Sequence, residues 1–265
     1  MHIDHDRRRT LAWLAAGAAT LSFTARAQAA DARSALRVNA ARLQKSLEDL
    51  SVFGRKPGGT FADGVDRFAY SDADIAGRKF AMELLRGAGA QPRIDAAGNI
   101  RALRPGSDTG LKPIMIGSHI DSVPGGGNFD GAVGSMAAIE VLRTLSDTKA
   151  ALRHPLEVTL WSNEEGGTIG SGLAAGKVAA SALDLTLNGI RRADGIRRIG
   201  GDPARIAESR IAAGALHAYV ELHIEQSGLL EKAGVNIGVV DGIVAIDEYQ
   251  VEITGFANHA GTTPM

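Results

Sequence analysis

Residues that could bind metal ions follow several apolar segments of this sequence. The candidates, in chain order, are His119, Asp121, Asp130, Glu164, Glu165 and His223. The chain contains no cysteine, so a bound metal must be held by imidazole and carboxylate donors. Such donors suit zinc, manganese, cobalt and nickel, and affinity order alone does not choose among them. The sequence therefore predicts a divalent-metal site.

The types of these residues suggest distinct tasks. Asp130 lies in a glycine-rich turn and has two carboxylate oxygens, so it could approach two metals. Asp121 is well placed to accept a hydrogen bond from the non-ligating nitrogen of His119. Glu164 and Glu165 should point in opposite directions at a strand end. One would then be a ligand, and the other a general base on metal-bound water.

Each motif also has an ordinary structural interpretation. Asp130 by itself is typical of a turn, and the pair Glu164 and Glu165 is typical of a solvated helix start. The three glycines at 125–127 lack the G-x-G-x-x-G spacing and the Lys-Ser/Thr of phosphate-binding loops. The order of the candidates, each placed after a predicted strand or, for His223, within one, favours the metal interpretation.

Apolar periodicity predicts the elements that would position these residues. The predicted helices cover 33–50, 71–89, 132–145 and 172–182, and the predicted strands cover 113–117, 156–161 and 218–224. Segments on both sides of Ala97-Gly98 predict a hairpin. This alternation predicts an α/β fold with a mixed sheet flanked by helices. The polar motifs would meet at the carboxyl edge of the sheet, where such folds bind ligands.

Residues 243–256 follow a different pattern. Apolar residues alternate with polar ones, at Val244, Ile246, Tyr249, Val251 and Ile253. Alternation of this kind predicts a half-exposed strand. We interpret it as the first strand of a second domain over 242–265, and assign 31–241 to the metal-binding domain.

The first residues of the chain predict export. Three arginines at 7–9 precede an uncharged apolar stretch over 11–23, and small residues after it offer cleavage sites. We assign 1–30 to an export signal of twin-arginine type, with Sec export as the alternative, and expect a periplasmic or secreted protein. The stretch is shorter than the about 20 residues of a membrane span, so no stable membrane anchor is expected. The net charge of −1 argues against a nucleic-acid partner.

Five motifs together carry a family resemblance. They are GSHIDS (117–122), GGNFDG (126–131), NEEG (163–166), ELHIEQ (221–226) and ANHAGTTP (257–264). In this order they resemble the hydantoinase/carbamoylase branch of the M20 metallopeptidase-like amidohydrolases. The resemblance implies a Zn-peptidase-like catalytic domain followed by a smaller α+β lid and dimerisation domain. It also implies two divalent metal ions, with zinc as the first choice, and a homodimer when the protein is full length.

The resemblance also implies roles for individual residues. The implied metal ligands are His119, Asp130, Glu165 and His223, with Asp130 bridging. Glu164 would be the general base and Asp121 the support of His119. Gln226 would contact the substrate. His259, with Asn258 beside it, would stabilise the oxyanion and reach into the neighbouring subunit, although the bland interpretation of this pair is a turn that ends a strand.

Two departures from the family pattern limit the transfer. We expect a further histidine ligand and an arginine that binds the substrate carboxylate, and both would lie beyond Met265. Glu165 is followed by Gly-Gly-Thr-Ile-Gly, where the family usually has an Arg-Phe segment at the pocket wall. The identity of the substrate is therefore left open.

The functional prediction is hydrolysis of a linear C–N amide bond in a small ureido compound. An N-carbamoyl amino acid is the first candidate, attacked by metal-activated hydroxide with Glu164 as general base. The alternatives are an allantoate amidohydrolase, an M20 peptidase or aminoacylase, and a catalytically inactive fragment of a longer enzyme.

Overall fold

The computed structural model describes residues 36–265 except 188, 244–248, 250, 253 and 265. The predicted export signal over 1–30 lies outside this range. The chain divides into two compact units, Met1–Ile224 and Glu225–Met265. The described part of the first unit contains a five-stranded sheet with its helices. Helices long and apolar enough to cross a bilayer are not found among the described residues.

The strands of the described residues form two sheets. In chain order they are β1 (Gln91–Ile94), β2 (Ile100–Arg104), β3 (Ile114–His119), β4 (Leu156–Trp161), β5 (Thr186–Leu187), β6 (Ile190–Arg191) and β7 (Ala218–Val220). The larger sheet has the order β1-β2-β4-β3-β7. Its β1–β2 and β2–β4 pairs are antiparallel, whereas β4–β3 and β3–β7 are parallel. His119 is paired with Trp161, so β3 and β4 end at the same edge.

The α-helices are α1 (Ala40–Leu50), α2 (Asp72–Gly87), α3 (Ala132–Asp147), α4 (Ile169–Ala174), α5 (Arg192–Arg198) and α6 (Leu229–Ala233). Two 3-10 helices cover Ala180–Asp184 and Pro203–Ser209. The largest apolar cluster joins α1, α2 and α3 to the sheet, with Ile116 packed against it. Met115, whose side chain points to the opposite face of β3, packs with Trp161 and with Ala174 of α4. Helices thus flank both faces of the mixed sheet, which confirms the predicted fold class.

Several predicted elements are confirmed in detail. Helix α2 begins after Ser71, whose side chain accepts a hydrogen bond from the backbone N–H of Asp74. The hairpin around Ala97-Gly98 is the β1–β2 pair. Strand β4 has the predicted bounds. Helix α3 starts where predicted and continues two residues beyond the predicted end, to Asp147.

Other predicted bounds are wrong. The first helix begins at Ala40 rather than at 33, because Asn39 caps it by accepting a hydrogen bond from the Arg42 N–H. The helix predicted over 172–182 is the short α4, which ends before Gly176 adopts a left-handed backbone with φ +68°. Strand β7 ends at Val220 rather than at 224.

The predicted strand over 243–256 is only partly described. Residues 244–248, 250 and 253 lie outside the described part, and the described residues of this range are in no strand. The assignment of a second domain over 242–265 stays a prediction.

Candidate metal centre

His119 is the last residue of β3 and is almost fully buried, with 1% of its surface exposed. Its backbone oxygen accepts a hydrogen bond from Ser135 Oγ of α3 at 2.7 Å. Gly131, with φ +59°, precedes α3 and lies directly against the imidazole. A Cβ atom at Gly131 would lie 2.3–2.4 Å from three atoms of that ring. The local backbone therefore needs glycine here both for its conformation and for space.

Three of the predicted metal ligands form one group. His119 Nε2 lies 3.8 Å from Asp130 Oδ1, and His223 Nε2 lies 3.1 Å from the same oxygen. One ligand atom from each of these residues falls within 4.8 Å of the others. Imidazole nitrogens and carboxylate oxygens are the donors that zinc and similar ions prefer. These three side chains could therefore hold one divalent cation.

In both histidines, a hydrogen bond from Nδ1 to a backbone carbonyl leaves Nε2 available. His119 Nδ1 lies 3.1 Å from the carbonyl oxygen of Asp121, and His223 Nδ1 lies 3.0 Å from that of Ile224. A carbonyl can only accept, so each hydrogen bond requires a proton on Nδ1. Each Nε2 in that tautomer has its lone pair available for a metal.

His223 lies outside the strand in which we predicted it, because the chain leaves the sheet after Val220. Residues 221 and 222 are instead held by contacts with neighbouring strands and with α3. Glu221 accepts hydrogen bonds from Ser118 Oγ and, at 2.6 Å, from the Tyr219 hydroxyl. The Leu222 carbonyl packs so closely on Gly134 that a Cβ there would lie 2.1 Å from its oxygen. These contacts place His223 opposite Asp130.

Asp121 supports His119 in a different way from the predicted one. The nearest acceptor for His119 Nδ1 is the backbone oxygen of Asp121, and the carboxylate Oδ1 is further away, at 3.7 Å. The other carboxylate oxygen accepts a hydrogen bond from the Glu165 N–H at 3.1 Å. Oδ1 itself is buried and has no hydrogen-bond partner among the described residues. Burial raises the pKa of Asp121 above its ordinary value, and the interaction with His119 opposes part of this shift.

Glu164 and Glu165 lie in a turn after β4 rather than at the strand end. The turn begins at Asn163, with φ +48°, and the N–H groups of Gly167 and Thr168 donate to the Glu164 carbonyl. The two side chains nevertheless have different surroundings. Glu164 lies 3.5 Å from His119 Nε2 and borders a largely apolar cavity of about 470 Å³. Glu165 borders a smaller cavity of about 120 Å³ together with Asp121.

The electrostatics of this region fit bound cations. The pKa values of Glu164 and Glu165 are raised above their ordinary values, chiefly by burial. The interaction with His119 opposes this shift, and the neighbouring carboxylates add to it. Glu165 Oε1, like Asp121 Oδ1, is buried without a hydrogen-bond partner in the described part of the chain. A buried carboxylate oxygen without a partner is costly unless a cation compensates it. The donor set and these two oxygens therefore fit divalent metals.

The glycine-rich turn around Asp130 is held by a distant segment that the sequence analysis did not identify. Asn128 Nδ2 donates to the carbonyl oxygens of Phe61 and Asp63, at 2.7 and 2.8 Å. Val65 and Gly126 exchange two backbone hydrogen bonds. The partners are about sixty positions apart in sequence, so no local spacing could have revealed them.

The remaining predicted site residues belong to the second unit and are described within it alone. Asn258 Oδ1 accepts a hydrogen bond from the His259 N–H at 2.8 Å, and His259 Nδ1 accepts one from the Gly261 N–H at 3.1 Å. The pair precedes a turn, but the described residues before it are in no strand, so the strand that this turn was expected to end is not found among them. Gln226 is exposed and has a left-handed backbone. The substrate and oxyanion roles of these residues stay predictions.

A family model described as peptidase family M20/M25/M40 matches residues 115–264. These residues include the whole candidate metal centre. The chain therefore belongs to the M20/M25/M40 peptidase family, which confirms the family predicted from the motifs.

Named relatives place the chain close to the carbamoylases of that family. It is 36% identical over 230 residues to an N-carbamoyl-L-amino acid amidohydrolase of Geobacillus stearothermophilus, covering 84% of this chain and 55% of that protein. It is 34% identical over 244 residues to a ureidoglycolate hydrolase of Arabidopsis thaliana, covering 88% and 50%. A hydantoinase/carbamoylase family amidase from Burkholderia ambifaria superposes with a TM-score of 0.66 at 38% identity, covering 75% and 49%. The chain thus spans about half the length of these proteins.

Proposed function

We propose that the protein is a metal-dependent amidohydrolase that cleaves a linear C–N bond of a small ureido compound. The observation that carries the proposal is the group of His119, Asp130 and His223, with Glu164 beside it. The relatives named as carbamoylase and ureidoglycolate hydrolase support a ureido substrate. An N-carbamoyl L-amino acid is our first choice, and a ureido acid such as ureidoglycolate or allantoate is the second.

The chain's own residues suggest how the metals would be held. His119, Asp130 and His223 would bind one ion, and Asp130 with Glu165 would bind the other. When bound, such ions polarise a carbonyl group and lower the pKa of water. The metal's identity is left open by this donor set.

Glu164 is proposed as the general base. Its Oε2 lies 3.5 Å from His119 Nε2 and so faces the metal group, while the side chain stays 31% exposed at the edge of the large cavity. From there it would take a proton from the attacking water and return it to the leaving nitrogen. With a carbamoyl amino acid, one water would yield the free amino acid, ammonia and carbon dioxide.

The full chain should be tested against three substrate classes after loading with zinc, manganese, cobalt or nickel. Ammonia release is measured with N-carbamoyl amino acids as one class and with ureidoglycolate and allantoate as another. Cleavage of dipeptides is measured as the third. We expect release from a ureido compound only. Dipeptide cleavage without ammonia release would contradict the ureido assignment, and inactivity towards all three classes would favour an inactive fragment.

The role of Glu164 is tested by Glu164→Gln. We expect kcat to fall by about 10²- to 10⁴-fold, because proton transfer is lost, while bound metal stays at the wild-type level. Glu165→Gln is the matched control, since it should lower metal content first. A Glu164→Gln protein with near wild-type kcat would overturn the assignment of the base.

We further propose an exported homodimer, with the signal over 1–30 and the implied lid domain as support. The N-terminal sequence of the mature protein in periplasmic extracts, with and without a functional twin-arginine pathway, tests the export. Sedimentation of the purified full-length protein tests the dimer.

A further inference from the structure

Arg67 is among the largest fully buried side chains of the described residues, with 1% of its surface exposed. Its Nε donates to the Ile120 carbonyl at 2.5 Å. That carbonyl belongs to the residue between His119 and Asp121. A buried cation that contacts no carboxylate within the described part of the chain is unusual, so the role of Arg67 needs an explanation.

Further contacts connect the Arg67 segment to the residues after His119. The Arg67 N–H donates to Ser122 Oγ at 2.9 Å, and the Ser122 N–H donates to the Arg67 carbonyl at 3.0 Å. Ser122 Oγ in turn donates to the Val65 carbonyl at 3.1 Å. Residues 120–122 are therefore held by Arg67 through both its side chain and its backbone.

The other end of the guanidinium binds the end of α1. Arg67 Nη1 donates to the carbonyl oxygens of Leu50 and Phe53, at 3.2 and 2.9 Å. A cation is favourable at a helix C-terminus, where backbone carbonyls lack partners. Gly77 of α2 leaves room for this side chain, because a Cβ there would lie 3.0 Å from Arg67 Cδ. Three elements thus converge on one arginine behind the metal group.

We infer that Arg67 is a positioning residue of the metal centre, which holds the Ile120 peptide so that the Asp121 carbonyl meets His119 Nδ1. This inference rests on the proposed metal-dependent function. Loss of the side-chain contact would free the Ile120 peptide to turn, while the backbone bonds to Ser122 remain, and the Asp121 carbonyl would no longer be held against His119 Nδ1. Burial lowers the pKa of Arg67 to about 10, with Asp74 and Asp121 opposing this, so the guanidinium is still charged at neutral pH.

Arg67→Met in the full chain tests the inference, with cobalt(II) as the probe. We expect cobalt affinity to fall by about 10-fold, the lower end of the effect of removing a direct partner of a ligand, because Arg67 acts on His119 through the backbone of residues 120–121. The visible spectrum of the bound cobalt should also change, because His119 moves. Arg67→Lys should show a smaller loss, since an ammonium keeps the charge but not the fork of donors.

Arg104→Met is the matched control. Arg104 Nη2 donates to the Ala150 carbonyl at 2.8 Å, just after the end of α3, and Arg104 pairs with Leu156 at the start of β4. It therefore resembles Arg67 in binding carbonyls near a helix end, but it lies away from the carboxyl edge. We expect a lower Tm with unchanged cobalt affinity and spectrum.

The outcomes separate the two proposals. Wild-type protein that takes up no cobalt would overturn the metal-dependent function and this inference with it. Wild-type uptake with unaltered affinity and spectrum in Arg67→Met would overturn this inference alone, whatever the change in Tm. If Arg67→Met does not fold, the same comparison on Arg67→Lys decides, and wild-type values there would overturn the inference.

Discussion

The buried acids Glu140 and Glu157 differ in their surroundings from the acids of the candidate metal centre. Glu140 of α3, which is fully buried, accepts hydrogen bonds from Arg42 Nε and Nη2 at 2.8 and 2.7 Å. Glu157 of β4 accepts from Arg101 Nη2 at 2.7 Å. At the carboxyl edge of the sheet, Asp121 instead has a backbone N–H and an imidazole as neighbours, and one of its oxygens has no partner among the described residues.

The difference indicates what each group of acids is for. Burying a carboxylate costs several kcal/mol unless a cation and hydrogen bonds compensate it. The chain itself supplies that cation to Glu140 and Glu157. For the acids at the carboxyl edge we expect the cation to come from solution. Changes in the first setting should therefore alter stability, and changes in the second should alter metal binding.

Asp121→Asn tests the carboxyl-edge side of this comparison through metal affinity. Metal affinity should fall by about 10- to 100-fold, because the neutral amide no longer offers its charge beside His119. The stability of the metal-free protein should stay the same or rise, since a buried charge is removed while an oxygen is kept for the Glu165 N–H. Calorimetric titration with zinc and urea unfolding in a chelator measure the two quantities. A large loss of metal-free stability would contradict the comparison.

The opposite result is expected from Glu140→Gln. The free energy of unfolding should fall by about 1–3 kcal/mol. The value is below that of a fully buried pair, because the Arg42 side chain is 33% exposed and keeps Asp147 at 2.8 Å. Zinc affinity should not change. Urea unfolding and the same titration provide the check, and a weaker zinc complex would show that the two settings are not independent.

Asp74 is an intermediate case, whose effect is confined to a narrow pH window. Burial raises its pKa to about 6, although Arg78 and Arg67 oppose the shift. Between pH 4 and 6 the folded protein therefore binds more protons than the unfolded chain, so stability falls as pH rises through this window. Relative to Asp74→Asn, the metal-free wild type should lose about 2 kcal/mol across this window, because each pKa unit of the shift corresponds to about 1.4 kcal/mol and part of the shift falls outside the window. The free energy of unfolding in urea is measured against pH for both proteins, and parallel profiles would contradict this expectation.

The sequence predicts much of the scaffold because its signals are local. The apolar run of β4 and the cap at Ser71 are both found as predicted. Periodicity could not show that the sheet ladder stops at Val220, since the contacts of Glu221 and Leu222 with β3 and α3 draw the chain away. A pattern-based prediction therefore placed His223 in a strand.

The same reasoning explains why Arg67 was not predicted. Its acceptors are the carbonyls of Leu50, Phe53 and Ile120, which lie 17, 14 and 53 positions away in sequence. Backbone carbonyls are present at every residue, so neither residue type nor spacing marks these three. The ligand types and their order can be read from the sequence. The contacts that orient the ligands depend on tertiary packing, so they cannot.

The glycine-rich turn has a consequence for anyone who diversifies this protein. At Gly127 an added Cβ would meet nothing within 4 Å among the described residues, whereas at Gly131 it would collide with the His119 ring. Two glycines four positions apart thus differ in whether they tolerate a side chain. Position 127 can be randomised without a steric conflict with the described residues, and position 131 should be kept out of any such design.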